Sequence, residues 1–186
     1  FYNGNVSKWK KFGNSLLLKL GIAIADSDPA LAQKTCQAAI DGGVFTSNAD
    51  DCNLAYLAAS PNFNQVYANV YYSNRNDFVA GKPIVDQMKS TGDPRISAYF
   101  GLRNGNYIGG TIGVKTSYNN YSPPGEFAYT PTTPGILLNY TEVAFYLAEA
   151  SARWNIGGDA AANYAKAVTA SFLQWGRSEA EATAYI

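Results

Sequence analysis

NYTEVAFYLAEASARWNIGGDAAANYAKAVTASFLQWG, residues Asn139 to Gly176, is the stretch whose reading decides the architecture. Val143, Leu147, Ala150 and Trp154 recur at helical spacing behind Asn139, a helix-capping residue with Glu142 three positions on. Gly157-Gly158 stops that helix. Asp159 then caps a second one, in which Tyr164, Ala167 or Val168, Phe172 and Trp175 face inward, and Gly176 closes it. Two helices joined by so short a loop lie antiparallel, which makes 140–176 a helical hairpin. Leu147 with Ala148, and Ala160 with Tyr164 and Ala167, also fall on the paired positions of a tetratricopeptide repeat. Any tight helix pair needs alanines where the backbones approach, so a repeat and a plain hairpin both fit.

Upstream the pattern recurs over 7–42. Trp9, Phe12, Leu16, Leu20 and Ala23 form an apolar stripe from Ser7 to about Ala25, with Lys8, Lys11 and Lys19 off it. Asp28-Pro29 is an N-cap followed by proline at the first helical position. Ala32, Cys36, Ala39 and Ile40 then share one side, and Gly42-Gly43 supplies the stop. Beyond Gly176, Ser178 with Glu181 is a capping box for a further helix cut by the end of the chain, so the native protein is expected to continue past Ile186. Phe1-Tyr2-Asn3-Gly4 has neither initiator methionine nor leader pattern, and any targeting segment is expected to be removed or to lie outside this sequence. The most apolar run, Leu16 to Ala25, carries Lys19 and is far shorter than the roughly 20 residues that cross a bilayer.

Between the hairpins, 44–134 is rich in Asn, Gly, Tyr, Ser and Pro. One short helix is expected from Pro83 to Ser90, ended by Gly92 and Asp93-Pro94, and Tyr107 to Val114 reads as a short hairpin or an irregular ribbon. The fold class is therefore all-α: tetratricopeptide-like helical hairpins carrying long irregular, aromatic-rich loops. Loops of that length on a rigid scaffold usually carry function, and the aromatic content argues against disorder.

Composition narrows the chemistry. In 186 residues Lys plus Arg and Asp plus Glu both total 14, leaving no basic surplus for nucleic acid or an anionic membrane. There is no histidine, which removes Ser-His-Asp and Cys-His nucleophile systems and the commonest transition-metal ligand. Glu142 and Glu149 are the best carboxylate pair on one element, yet seven residues of helix separate them by about 10.5 Å. Arg153 at i+4 from Glu149 makes an ion-pair stripe the better reading. Ser7 to Lys10 matches the S-x-x-K pattern of serine acyl-enzymes without its companion motifs, and a serine N-cap explains it. Asn48, Asp50 and Asp51 offer oxygen ligands at a spacing foreign to a calcium loop, and read as a polar turn. Cys36 and Cys52 either form a bridge around a 15-residue loop, worth about 3 kcal/mol, or stay free, with Cys36 buried on its helix stripe.

Tyrosine, at 14 residues, is what the chain has in plenty. The candidate binding residues are Tyr67, Tyr71, Tyr72, Asn74 and Arg75, with Tyr118, Asn119 and Tyr121 from the run that ends the middle segment. Such pairs suit sugars. A pyranose offers an apolar face of C–H groups to an aromatic ring, while its hydroxyls want planar partners such as amides and guanidinium groups. Some of these tyrosines would equally serve to anchor a long loop to the scaffold.

Four ordered blocks carry a family resemblance. YNGNVSKWKKFGNSL, residues 2–16, resembles the "gD-x-x-KW-x-KFANSL-x-LRLA" helix of the SusD-like family of Bacteroidetes. Gly42-Gly43-Val44-Phe45 with Ser47-Asn48 resembles its post-helix turn, and Gly92-Asp93-Pro94-Arg95 with Tyr99-Phe100 its "DPR" block. Pro134-Gly135-Ile136 through Glu142, Phe145, Leu147 to Ala150 and Arg153 resembles its "E-x-x-F-x-LAEA" helix. Gly13 stands for the usual alanine, and Leu18 and Ile24 for residues that are often polar. The resemblance covers 1–186 and implies one partial domain, the middle-to-C-terminal portion of a protein more than twice as long. It further implies a tetratricopeptide-like scaffold, an N-terminal lipid anchor absent from this chain, and a position on the outer membrane facing outward. The ligand would be an extracellular glycan, captured without catalysis and delivered to a SusC-like TonB-dependent transporter. An oligopeptide ligand within the family, or a tetratricopeptide scaffold holding a protein partner, are the alternatives.

Overall fold

The computed structural model describes all residues from Phe1 to Ile186. Two long helices open the chain, α1 (Val6–Ala23) and α2 (Pro29–Gly42). A short strand β1 (Cys52–Leu54) follows, and then the middle segment with three small helices: α3 (Gln65–Tyr67), α4 (Lys82–Ser90) and α5 (Ile96–Tyr99). Strand β2 (Gly135–Leu138) leads into α6 (Tyr140–Trp154), α7 (Ala160–Gln174) and α8 (Glu179–Tyr185). The fold is helical, as expected. The exception is the antiparallel β1–β2 ribbon, with Cys52 opposite Leu138 and Leu54 opposite Gly135. Strands this short carry no period-2 signal that a sequence could display.

Capping fixes the helix starts. Asp28 accepts from the Leu31 amide, Asn139 from that of Glu142 and Asp159 from that of Ala162, while both halves of the Ser178–Glu181 box form. The first helix differs: its N-cap is Asn5, which accepts from the Lys8 amide, so Ser7 lies inside the helix and both Ser7 and Lys10 are exposed. The inward stripe also needs correction. The buried residues of α1 are Ser15, Leu18, Gly21 and Ile22, whereas Trp9, Leu16, Leu20 and Ala23 are exposed. Small residues decided that face. A Cβ on Gly21 would stand 2.6 Å from Cys36 Sγ, so α1 presents its glycine to α2 and the leucine-rich side turns outward. In α7, Ala167, Val168 and Phe172 are buried as expected, but Tyr164 is exposed and packs edge-on against Phe145.

One core ties the two hairpins together. Leu18 and Ile22 of α1, Cys36 and Ala39 of α2, and Val143 and Ala150 of α6 meet Phe45, Cys52 and Leu138 from the turn and ribbon between them. Burying a side chain of Leu or Phe size contributes about 1.5–3 kcal/mol, and Phe45, Leu18 and Leu138 are all essentially inaccessible. Polar atoms entering this core are satisfied. Ser15 Oγ accepts from the Phe45 amide at 2.9 Å, and Asn14 Nδ2 donates to the Gly43 carbonyl at 2.9 Å. Cys36 and Cys52 are both buried as free thiols, the second of the two alternatives.

The middle segment is anchored through α5 and the turn before it. Asp93, buried, receives the Arg95 guanidinium and the Arg95 amide. The same guanidinium donates to Ser171 Oγ of α7 at 2.6 Å and lies 4.5 Å from the Phe172 ring centre. Trp175 closes the other side, edge-on to Tyr99 at 4.3 Å and to Phe127 at 5.7 Å. Residues 107–114 form an irregular ribbon, tied to the chain by the Gly81–Gly110 bridge and by Ile108, whose carbonyl accepts from the Ser122 amide at 2.8 Å and whose amide donates to Ser122 Oγ at 3.0 Å.

Candidate functional site: a tyrosine platform on the middle segment

Asn64 sets the platform's position. Its Oδ1 accepts from the Val66 amide at 2.6 Å and caps α3, while its Nδ2 donates to the Thr133 carbonyl at 2.7 Å and its own amide to Pro131 at 2.8 Å. The chain then continues through the wide π-helical turn Ala68–Tyr72, with Val70 buried beneath it. Phe63, buried, holds Tyr67 at 5.3 Å and Tyr72 at 4.9 Å between ring centres. Tyr67 and Tyr71 stack at 5.2 Å with 30° between planes. Tyr71 and Tyr72 remain 58% and 63% exposed, so their outer faces are open to a ligand.

The two sequence-predicted groups meet through a residue that sequence reading missed. Tyr129 stands edge-on to Tyr71 at 6.2 Å, and its phenol neighbours that of Tyr118. Burial, and then the neighbouring Tyr118 phenol, push the Tyr129 phenol up to about 12, so it stays neutral and keeps its hydroxyl proton at any ordinary pH. Arg103 fastens the second group: its Nε donates to the Tyr121 carbonyl at 3.0 Å, and its guanidinium lies 5.1 Å from the Tyr118 ring centre. Tyr121 therefore contributes its backbone to this arrangement and Asn119 stands exposed beside it.

Asn74 and Arg75 are engaged locally, the Asn74 amide donating to the Tyr71 carbonyl at 3.0 Å. Asn74 adopts a left-handed conformation that ends the π turn. Arg75 pairs with Asp77 and lies 4.9 Å from the Phe78 ring centre, which commits its Nε and Nη2 donors locally. The acids near Asn48 diverge too. Asp50 accepts from Lys11 at 2.8 Å and from the Thr46 amide at 2.8 Å, whereas Asp51 accepts from the Tyr140 amide at 2.6 Å. Glu142 pairs with Lys19 and Glu149 with Arg153, each at 2.7 Å.

Three of the platform's members lie outside the sequence-predicted set, and two of them lacked a sequence signal of their own. Phe63 and Tyr129 stand outside the tyrosine clusters, but Arg103 opens an Arg103-Asn104-Gly105-Asn106 turn with positive φ at both central residues. Asn-Gly is the strongest short-range hairpin signal, and it would have flagged the arginine that this turn projects.

The whole chain, residues 1–186, matches the model of the SusD-like family described as "Starch-binding associating with outer membrane". No curated protein matches the chain. Among solved structures, a chitin-binding protein is 31% identical with a TM-score of 0.88, over 100% of this chain and 45% of its own length. A chitin-binding SusD homologue from Flavobacterium johnsoniae is 29% identical with a TM-score of 0.83, over 100% of this chain and 39% of its own. A SusD homologue from Bacteroides uniformis is 32% identical with a TM-score of 0.84, over 99% of this chain and 39% of its own. The chain thus spans less than half the length of the solved relatives it matches. A family match over every residue, with folds that superpose this closely, means that this chain belongs to the SusD-like family.

Proposed function

We propose that the tyrosine platform binds a neutral extracellular glycan without transforming it. The observation that carries this reading is the open stack of Tyr67 and Tyr71, continued by Tyr72 and by the hydroxyl-bearing Tyr129–Tyr118 pair. Flat rings with an accessible face, beside neutral phenol and amide groups, match the alternation of C–H faces and hydroxyls on a pyranose chain. The family description and the chitin-binding relatives support the same ligand class. Under this proposal the chain is a portion of a longer lipid-anchored protein on the outer face of the outer membrane, which hands its glycan to a SusC-like TonB-dependent transporter.

A glycan screen with the full-length protein tests the ligand class. Starch, chitin and cellulose oligosaccharides are titrated by calorimetry beside a set of neutral oligopeptides. Saturable binding of at least one oligosaccharide and none of the peptides is expected. Peptide binding alone would refute the glycan reading, and release of shorter sugars would refute the absence of turnover.

A further inference from the structure

A concavity of about 820 Å³ lies between the β1–β2 ribbon, the Asn64–Val66 start of α3, the 126–134 loop and the C-terminal end of α7. No platform tyrosine lines it. Its volume falls in the range of about 300–1,000 Å³ typical of small-molecule sites. Tyr56, Phe127 and Trp175 furnish rings in its wall, and Trp175 is held fast by its edge-on contacts to Tyr99 and Phe127.

Two polar side chains in the same wall are tied to one point in the fold. Asp51 Oδ1 accepts from the Tyr140 amide at 2.6 Å. Gln174 Oε1 accepts from Asn139 Nδ2 at 3.1 Å and from Thr141 Oγ1 at 2.9 Å. The orientation of the Gln174 amide follows from the helix cap: Asn139 Oδ1 is committed to the Glu142 amide, so its Nδ2 can only donate, and Gln174 must answer with oxygen. Residues 139–141 are consecutive. The free atoms, Asp51 Oδ2 and Gln174 Nε2, belong to residues that line the same cleft, one an acceptor and the other a donor, and neither is an occluded unsatisfied atom. An N–H donor beside the carboxylate disfavours a bare cation, and the carboxylate disfavours an anion. Two adjacent hydroxyls satisfy both: one donates to Asp51 while its neighbour accepts from Gln174, and the sugar's C–H face rests on the ring wall.

We propose that this cleft is a second saccharide site, distinct from the tyrosine platform, that grips a vicinal diol of a neutral sugar between Asp51 and Gln174. It rests on the glycan reading for its ligand class and on the cleft alone for its location. The test is calorimetry of the full-length protein with cellotetraose and with its 2,3-di-O-methyl derivative, which keeps the backbone and loses the diols. Wild-type protein should bind cellotetraose at least tenfold more tightly. Asp51→Asn keeps the bond from the Tyr140 amide but can turn a second donor toward Gln174, and should bring the two ligands within about twofold. Leu173→Arg, at an exposed position on the cleft's rim, should do the same by filling it. Tyr71→Ala should weaken binding at the platform for both ligands and leave the preference for cellotetraose in place. Discrimination that survives in folded Asp51→Asn and Leu173→Arg proteins, or that disappears in Tyr71→Ala, would overturn the second site while leaving the platform's glycan binding intact. Failure of the wild-type protein to bind either ligand would also overturn it, and the starch and chitin titrations would then judge the platform separately.

Discussion

Arg95→Ala should be among the most damaging single substitutions outside the apolar core. Asp93 is only 4% exposed at its side chain and Arg95 15%, so the pair is largely withdrawn from water. Burial alone would raise the Asp93 carboxyl, but the hydrogen bonds from Arg95 outweigh it and hold the group below the usual carboxylate range. Removing the guanidinium leaves that carboxylate with one main-chain donor, the residue 95 amide, and takes the Arg95 donor away from Ser171 Oγ. Breaking a buried pair costs about 3–5 kcal/mol, and the surviving amide bond puts this case near the lower figure. For a chain of this size about 3 kcal/mol corresponds to roughly 6–12 °C in Tm. The assay is urea unfolding followed by circular dichroism from pH 7 downward. In the variant burial is opposed only by the residue 95 amide, so the Asp93 pKa rises from its wild-type position. The penalty is then full at neutral pH and shrinks as Asp93 protonates on acidification, so the gap between variant and wild type should narrow toward pH 3–4. Asp93→Asn combined with Arg95→Met should recover at least half of the loss, because neither partner is left charged and alone. A gap below about 1 kcal/mol, the worth of a surface pair, or one indifferent to pH, would refute this reasoning.

Acid should destabilise the wild-type protein as well. Asp50, Asp93 and Glu142 are each raised by burial and lowered further by their partners, Lys11 with Thr46, Arg95, and Lys19 with Tyr146, so all three sit below their unfolded values. Their stabilisation is complete above about pH 4 and is lost as pH falls through the folded values. Asp51, raised by burial and by the charge of Asp50, has the opposite sign, since its cost is relieved on acidification. With the lowered carboxyls outnumbering the raised one, the urea midpoint should fall between pH 5 and pH 2, and a midpoint that rises would contradict the assignment. Gly21→Ala should cost about 1–3 kcal/mol by overpacking, because the new Cβ stands 2.6 Å from Cys36 Sγ, and an unchanged urea midpoint would show that α1 and α2 separate freely. Burial, and then the charge of Glu149, raise the Cys36 thiol, so a thiol reagent should leave the native protein unlabelled and label two cysteines once it is unfolded without reductant. No labelling of the unfolded, unreduced protein would instead reveal a bridge.

Much of the scaffold was legible in the sequence because helix ends are written locally. Asp28-Pro29, Asn139 with Glu142, Asp159 and Ser178 with Glu181 each need only their own side chain and an amide three residues on. Which face of α1 turns inward was not local information. Leu16 and Leu20 outweigh Ser15 and Gly21 on any hydropathy scale, yet close approach to α2 rewards the residue without a side chain. The platform was half legible for a similar reason. Clustered tyrosines at 67, 71 and 72 announce themselves, whereas the contacts joining Tyr71 to Tyr129 and Arg103 to Tyr121 span many residues, and the loops between them fix those distances. The Asp51–Gln174 pair lay beyond reach altogether, since only the N-terminus of α6 brings the two together.

Binding of an oligosaccharide by the full-length protein, compared between wild type and the Tyr71→Ala, Tyr72→Ala double variant, probes the central claim most directly. If each ring contributes about 1 kcal/mol of stacking, affinity should fall about thirtyfold for the tightest-binding sugar, with the thermal midpoint nearly unmoved because both side chains are mostly exposed. An affinity unchanged within twofold would contradict a tyrosine platform as the place where glycan is held.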